Sequence, residues 1–417
     1  MVRNDLAVCL LIGAVSVWAQ ARYAGGTGRI DDPYQIADAE DLRQVAENQA
    51  DWSKAFLLVA DIDWAHDPDG SFMPIGIDEY GRRFAGVFDG NGHTIRGLTL
   101  VTDSDSRVGL FAAVTGTVKN LRLVDAVVDA PGTDWVGALV GSLRYGTLKN
   151  CTVEGGRVSG RNNVGGLVGW SDHGNLYHCS ATCDVFGQNE VGGLLGDGEV
   201  TKLVGCFATG DVMATGDDVG GLMGSNYGGL LSACHAHGAV VGRFYTGGLV
   251  GGNYLGFIGD AYAVGAVQGE ERVGGLVGDN APWGVIVNAF AVGRVTGVRH
   301  VGGLVGTNNN PCRGATPYGT IVDCYWDVQT SGLATMCGDE QRDCDDSRGR
   351  TTAELQRRET YRNWDFTSTW AISEKQTYPY FRTQLTGDLN NDDRVDLCDL
   401  SVLAGQWLKG LGDDLDP

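Results

Sequence analysis

Basic residues are scarce in this chain: 417 residues hold 31 Lys and Arg against 52 Asp and Glu, a formal net charge of −21. That balance argues against nucleic acid or an anionic membrane as a partner. After Trp18 no apolar run is long enough to span a bilayer, so no membrane span is expected in the mature chain. The middle of the chain lacks helical spacing, with glycines interrupting every candidate helix. There is no H-E-x-x-H or nucleophile motif, which sets aside a peptidase of those classes.

What is abundant is glycine, 65 residues of it, and it is ordered. Val164-Gly165-Gly166-Leu167-Val168-Gly169 recurs with small changes at Val136, Val191, Val219, Thr246, Val273 and Val301, and a worn copy begins at Val108. The intervals are 28, 28, 27, 28, 27, 27 and 28 residues. A fixed period in this range is the signature of a solenoid. Within each period a polar turn leads to a β-rich run such as Lys202 to Val212, where Cys206, Ala208 and Val212 alternate. Each period therefore reads as one coil of short strands pairing in parallel with the next coil. The expected fold is all-β, a right-handed parallel β-solenoid, roughly 40 Å long at ~4.8 Å per coil. A phosphate-loop reading of the blocks fails, because the G-x-G-x-x-G spacing is absent and no helix follows. The Val-Gly-Gly-Leu-Val-Gly blocks are expected to stack in one parallel sheet.

These blocks resemble the GLUG motif, a repeat named after its Gly-Leu-any-Gly core and found in large bacterial surface and secreted proteins, including adhesins and regions attached to some peptidases. The resemblance implies a β-helical extracellular module without catalytic residues of its own.

The ends read differently from the middle. Arg3, the apolar run from Leu6 to Trp18 and then Ala19-Gln20-Ala21 fit a signal peptide over 1–21 with cleavage after Ala21, hence secretion or the cell surface. Residues 22–100 are expected to hold an N-terminal cap and the first coils. Asp38 can cap a helix with Glu40 and Asp41 in its first turn and Ala39, Leu42, Val45 and Ala46 on one face. Such a helix would cover the open end of the first coil. Strand-like pieces follow at Phe56 to Ala60, Phe72 to Gly76 and Phe88 to Ile95. Repeats are expected over 101–330 and a C-terminal cap over 331–384. In that cap Thr351 and Glu354 can form a capping box, and Trp364, Phe366, Trp370, Tyr378 and Tyr380 supply apolar cover. This closure also resembles that of GLUG proteins.

Asp61, Asp63, Asp67 and Asp69 read as a polar turn rather than a calcium loop, and His93 as a turn residue. Strand alternation puts His235 and His237 on the face opposite Cys234, against a zinc site there. Cys151, Cys179, Cys206 and Cys234 fall at one place in successive coils, with Ala261 and Ala289 following, and read as an inward ladder of packed thiols. Cys312, Cys324, Cys337 and Cys344 cluster past the last repeat, where in a secreted protein cross-linking can stabilise a stretch that lacks a core; four cysteines allow three pairings. Trp170, Tyr227 and Tyr254, with Tyr145 and Trp283 near the same offset, would bring aromatic rings onto one edge of the rod, suited to stacking on sugar rings; the other reading is that they only pack against neighbouring turns.

The tail over 385–417 carries the most specific chemistry. Asp388, Asn390, Asp392, Asp396 and Asp399 stand at positions 1, 3, 5, 9 and 12 of a calcium loop, with the Arg394 carbonyl at position 7. With Leu400, Leu403, Trp407 and Leu408 on a following helix, this resembles one repeat of a dockerin, an EF-hand-like segment. The resemblance implies one bound Ca²⁺ and a cohesin-like partner. Three features depart from it: Asp393 replaces the glycine expected at position 6, one repeat stands where dockerins use two, and Leu397 and Cys398 occupy places where cohesin-contacting hydroxyl residues often lie. The leading expectation is a non-enzymatic exported adhesion, scaffold or glycan-associated module, with an extracellular polysaccharide or surface protein as partner. The alternative is a polysaccharide-degrading β-helix lyase or glycoside hydrolase.

Overall fold

The computed structural model describes residues 23–64, 73–77, 82–102, 107–308, 319–339 and 344–382. It is a parallel β-solenoid of about eight turns. One coil shows the plan. Thr147–Lys149 and Thr152–Glu154 lie in a first sheet, Arg157–Ser159 in a second, Asn162–Gly165 in a third and Val168–Asp172 in a fourth. Each pairs in parallel with its equivalent in the next coil, as in Leu148↔Leu176, Val158↔Val185, Val164↔Val191 and Val168↔Leu195. In this coil the inward residue of each short strand is branched and apolar, and stacking aligns columns of fully buried Leu and Val, with Ala181, Ala208 and Ala236 continuing the column of Val153. No helix among the described residues is long and apolar enough to cross a membrane.

The glycine block does not lie in one sheet, contrary to expectation. Val164 and Gly165 end the strand of the third sheet, Val168 and Gly169 begin that of the fourth, and Gly166-Leu167 turns the corner. Glycine is required there because the two sheets meet backbone on backbone. A Cβ at Gly165 would stand 2.0 Å from the Val168 carbonyl oxygen, and one at Gly169 would stand 2.4 Å from the Val136 nitrogen. The corner leucines do stack as the period predicts. Leu167 N–H donates to the Leu194 carbonyl at 3.0 Å, and the ladder runs through Leu222, Leu249 and Leu276 to Leu304 with every step at 2.8 or 2.9 Å.

The ladder also continues past residue 330. Leu304 N–H donates to Met336 O at 3.0 Å and Gly338 N–H to Gly306 O at 2.9 Å, so Thr335-Met336-Cys337-Gly338 is a disguised further block. Cys337 takes the valine place, bridging Val305, and forms a disulfide with Cys344. Cys324 is not part of that cross-link cluster. It is a buried free thiol, one residue before Tyr325, which pairs with Phe290; it therefore follows Ala289 in the column of Cys151, Cys179, Cys206 and Cys234. Those four are free and fully buried, as the ladder reading requires.

The N-terminal helix α1 (Ala39–Glu47) forms where expected. The Asp38 side chain accepts from Asp41 N, and Leu42, Val45 and Ala46 are buried against the first coils. The C-terminal segment has the Thr351–Glu354 capping box, but its aromatics cover a flank rather than the end. One outward column of the first sheet runs Arg122, Thr152, Ser180, Phe207, His235, Tyr262, Phe290, Tyr325. Trp364, Phe366, Trp370 and Phe381 pack onto its aromatic part. Trp370 Nε1 donates to Asp260 Oδ1 at 2.9 Å, Trp364 Nε1 to Asp323 O at 2.9 Å and Tyr378 Oη to Asp327 Oδ2 at 2.8 Å, fixing the cover in place. The column is polar in coils without cover and aromatic beneath it, which is what burial selects.

Candidate functional site

Among the described residues, the six coils that begin at Val136 to Val273 each turn three corners through a left-handed residue, and these corners aim the outward side chains. The first corner precedes the glycine block and holds Trp135, Asn163, Glu190, Asp218, Tyr245, Arg272 and His300, with φ between 49° and 58°. The second holds Asn120, Asn150, His178, Gly205, Ala233, Asp260, Asn288 and Asp323. The third, just after the fourth sheet, holds Tyr145, His173, Val200, Gly228, Leu255 and Trp283.

First-corner side chains lean over the outward face of the fourth sheet and make a wall along it. At the N-terminal end Trp135 lies 6.2 Å from Trp170, with the Arg107 guanidinium 4.1 Å over Trp135 and Arg144 5.1 Å over Trp170. In the middle Asn163 Nδ2 donates to Glu190, and the Tyr254 hydroxyl donates to Asp218 Oδ1 at 2.9 Å. Beyond them Arg272 lies 3.5 Å from Asp279 Oδ2, and Thr307 Oγ1 donates to the other oxygen of Asp279.

These carboxyls hold their protons unusually well. Burial pushes Asp197 up to about 7, with the Glu190 and Glu199 charges adding to it and the Ser225 hydrogen bond opposing. Burial likewise pushes Asp218 up to about 7 against the lowering effect of Tyr254, while Glu190 and Asp279 repel its charge. Glu190 and Asp279 are raised mainly by burial too. Partly protonated carboxyls near neutrality can donate as well as accept hydrogen bonds.

Inside the corner that follows, a buried asparagine ladder escaped the sequence reading. Asn226, Asn253, Asn280 and Asn308 donate Nδ2 to Oδ1 down the stack at 2.8, 2.8 and 2.9 Å, and all four are fully buried. Their spacing is the coil period, so reading that one column would have found them.

The aromatic residues named from sequence are brought near one another in two settings. Tyr227 pairs with Tyr254 on adjacent strands; Tyr227 is 51% exposed, whereas Tyr254 is half-buried on Asp218. Trp170 sits one outward column away, in register with Asp197. Tyr145 and Trp283 are exposed in the turns. Asp61 accepts from Thr94 N at 2.9 Å and lies 3.1 Å from His93 Nδ1, a bonded turn. His235 and His237 face away from Cys234; His235 is buried between Phe207 and Tyr262 under the flank cover. Among the described residues no three His, Cys, Asp or Glu gather as a metal site. The calcium-loop residues Asp388, Asn390, Asp392, Arg394, Asp396 and Asp399, like Cys312, lie outside the described residues, as does the cleavage point after Ala21.

The fold and its repeat define a parallel β-solenoid with a GLUG motif. The family described as the GLUG motif matches residues 160–185. Halomucin of Haloquadratum walsbyi is 36% identical over 152 residues, 34% of this chain and 2% of that protein. A protein of Evansella cellulosilytica provisionally named a Gly-rich membrane protein is 33% identical over 183 residues, 35% of this chain and 21% of that protein. The chain thus matches only a small part of the length of either relative. A crystal structure of a protein from Bacteroides ovatus, provisionally named an immunoglobulin A1 protease, superposes with a TM-score of 0.49 at 18% identity, over 87% of this chain and 95% of that one.

Proposed function

We propose that this chain is a non-enzymatic exported module that presents an elongated face to an extracellular glycan or surface partner. The supporting observation is geometric: outward side chains repeat one per coil in columns along the rod instead of converging on a point. A repeated column suits a repeating ligand, and the names of the matched relatives, Halomucin and a Gly-rich membrane protein, agree with a surface location. The dockerin-like tail adds a Ca²⁺-bound segment through Asp388 to Asp399, and with it an attachment point for a cohesin-like partner. Screening the purified protein on a glycan array, beside a reducing-sugar release assay on the same polysaccharides, tests the reading. Binding without release supports it; release abolished by Asp197→Asn would replace it.

The enzyme alternative has one observation in its favour. Asp197 and Asp218, both held near 7 by burial and by Glu190, have the protonation of a general acid beside a second carboxyl. Release of reducing ends would therefore be sought first in these two variants.

A further inference from the structure

We infer that the ridge formed by Tyr145, Val200, Tyr227, Leu255 and Trp283 is the contact line for a neutral, hydroxyl-rich polysaccharide chain. The inference rests on the glycan reading above and gives it a location and a ligand class. Tyr145 is 64%, Val200 49%, Leu255 47% and Trp283 61% exposed, all in the third corner column, with Tyr227 beside Gly228 in the coil between. Tyr145 and the imidazole of His173 stack at 4.9 Å, 24° from parallel, forming one broad flat plate at the ridge's N-terminal end. Over six coils the ridge extends roughly 24 Å at ~4.8 Å per coil.

Exposure alone would be a weak argument. The stronger one compares two columns with the same backbone requirement. The second corner meets its left-handed φ mostly with residues that tolerate it, and they bond one another: Asn150 Nδ2 donates to Asn120 Oδ1 at 3.0 Å and Asn288 Nδ2 to Asp260 Oδ1 at 3.3 Å. The third corner needs the same conformation, and Gly228 shows that the fold accepts glycine there. Yet it carries Tyr145, Val200, Leu255 and Trp283 at φ 54°, 49°, 60° and 68°. A β-branched valine at positive φ is an outlier. These side chains strain the backbone, and apart from Tyr145, which stacks on His173, they are half exposed and recover little by packing. Strain without a packing gain marks a position held for contact with something else.

The surroundings select the partner. The column immediately preceding the ridge, from which Tyr227 reaches it, also carries Asp172, paired with Arg144 and His173, and Glu199, which is exposed. The Glu199 carboxylate and the Tyr227 phenol oxygen accept hydroxyl donors while the ridge takes apolar C–H faces. Anionic sugars and anionic lipid would meet these carboxylates on a chain of net charge −21. A second copy docking ridge to ridge would oppose Glu199 to Glu199.

The test uses the full chain retained on cellulose, xylan and starch, with polygalacturonate as the anionic probe. In the ridge variant, Tyr145, Val200, Leu255 and Trp283 are each changed to Asn. Retention should be lost while the melting temperature rises, because the strain is relieved. The milder Val200→Gly, Leu255→Gly pair, which copies Gly228, should weaken retention and also raise the melting temperature. Met213→Asn, at an exposed apolar residue of the second sheet, should change neither. If native protein is retained and the ridge variant is retained equally, the ridge is wrong and the glycan reading stands. If no polysaccharide retains native protein, both fail. Retention on polygalacturonate alone, or a fall in melting temperature in both variants, overturns the inference.

Discussion

The asparagine ladder offers the sharpest test of how the coils hold together. Asn253 accepts from Asn226 Nδ2 at 2.8 Å, donates to Asn280 Oδ1 at 2.8 Å and also donates to the Gly256 carbonyl at 3.2 Å, all in a site closed to water. Asn253→Ala removes these bonds and leaves an Asn226 donor and an Asn280 acceptor buried without partners. At about 1–3 kcal/mol for each stranded group, the two together put the cost at about 2–6 kcal/mol. Asn226 ends the ladder, with its Oδ1 already unpartnered, because the preceding coil has Gly198 in register. Asn226→Ala breaks one bond of the ladder and should cost only about 1–2 kcal/mol. Urea unfolding followed by circular dichroism compares the two, with equal slopes required before midpoints are converted to free energies. Equal costs for the two variants would refute the reasoning, as would a cost below about 1 kcal/mol for Asn253→Ala.

Thr246 stands between Val219 and Val273 in the valine column with its hydroxyl buried and unpartnered, so Thr246→Val should raise stability by about 1–2 kcal/mol in the same assay. Burial lowers His235 to about 3; its unfolded form takes up a proton near 6.5, so its contribution is whole above that pH and is lost as pH falls toward 3. His235→Phe should therefore flatten the acid limb of a melting-temperature profile between pH 6.5 and 3. Asp197 runs the other way: raised to about 7, it favours the fold at low pH and weakens it as pH rises from the ordinary carboxylate range to neutrality. Asp197→Asn should then stabilise at pH 8 and have little effect at pH 4, measured by thermal unfolding. In the tail, calorimetry on the full chain should show Ca²⁺ binding that the Asp388→Ala, Asp392→Ala pair abolishes; no heat at millimolar calcium would reject the loop.

The period, the parallel stacking and the inward thiols were legible because each rests on one residue type recurring at one interval. Val164, Leu167 and Cys179 each have near-copies a coil away. Legibility ended where the interval or the residue type broke. Cys324 and Met336 belong to regular columns, but the longer connection after Thr307 loses the phase, and Met and Cys in place of Leu and Val hide the last block. The corners were hidden for another reason. A left-handed corner is normally announced by Gly or Asn, and here Glu190, Tyr245, Arg272 and Leu255 occupy corners, so residue type no longer reports backbone conformation. That the glycine block bends between two sheets also depends on a distance, the backbone approach at Gly165 and Gly169, which a pattern of letters does not carry. The flank cover was visible as a cluster of aromatics, but its target was not. His235, Tyr262 and Phe290 read as ordinary outward strand residues until their column is followed into Arg122 and Ser180, where the aromatic character stops.

The three corner columns explain how one fold can keep its stability and the proposed contact line apart. In a stacked repeat each coil contacts its neighbours, and stability is close to a sum of local terms. A column can therefore carry unfavourable residues at a local cost without disturbing the others. The second corner, with Asn120, Asn150 and Asn288 bonded along the stack, contributes stability and anchors the cover through Asp260. The first combines structure with chemistry: Tyr254 and Asp218 bond each other, yet Asp218 remains poorly solvated and holds its proton near neutrality. The third contributes little to the interior and exposes its largest residues. If the ridge is the contact line, relieving its strain must raise stability and lower retention together, whereas relieving the buried defect at Thr246 must raise stability alone. Opposite movement of stability and binding at one column, and independence at the other, distinguishes a surface maintained for a ligand from turns that merely tolerate poor residues.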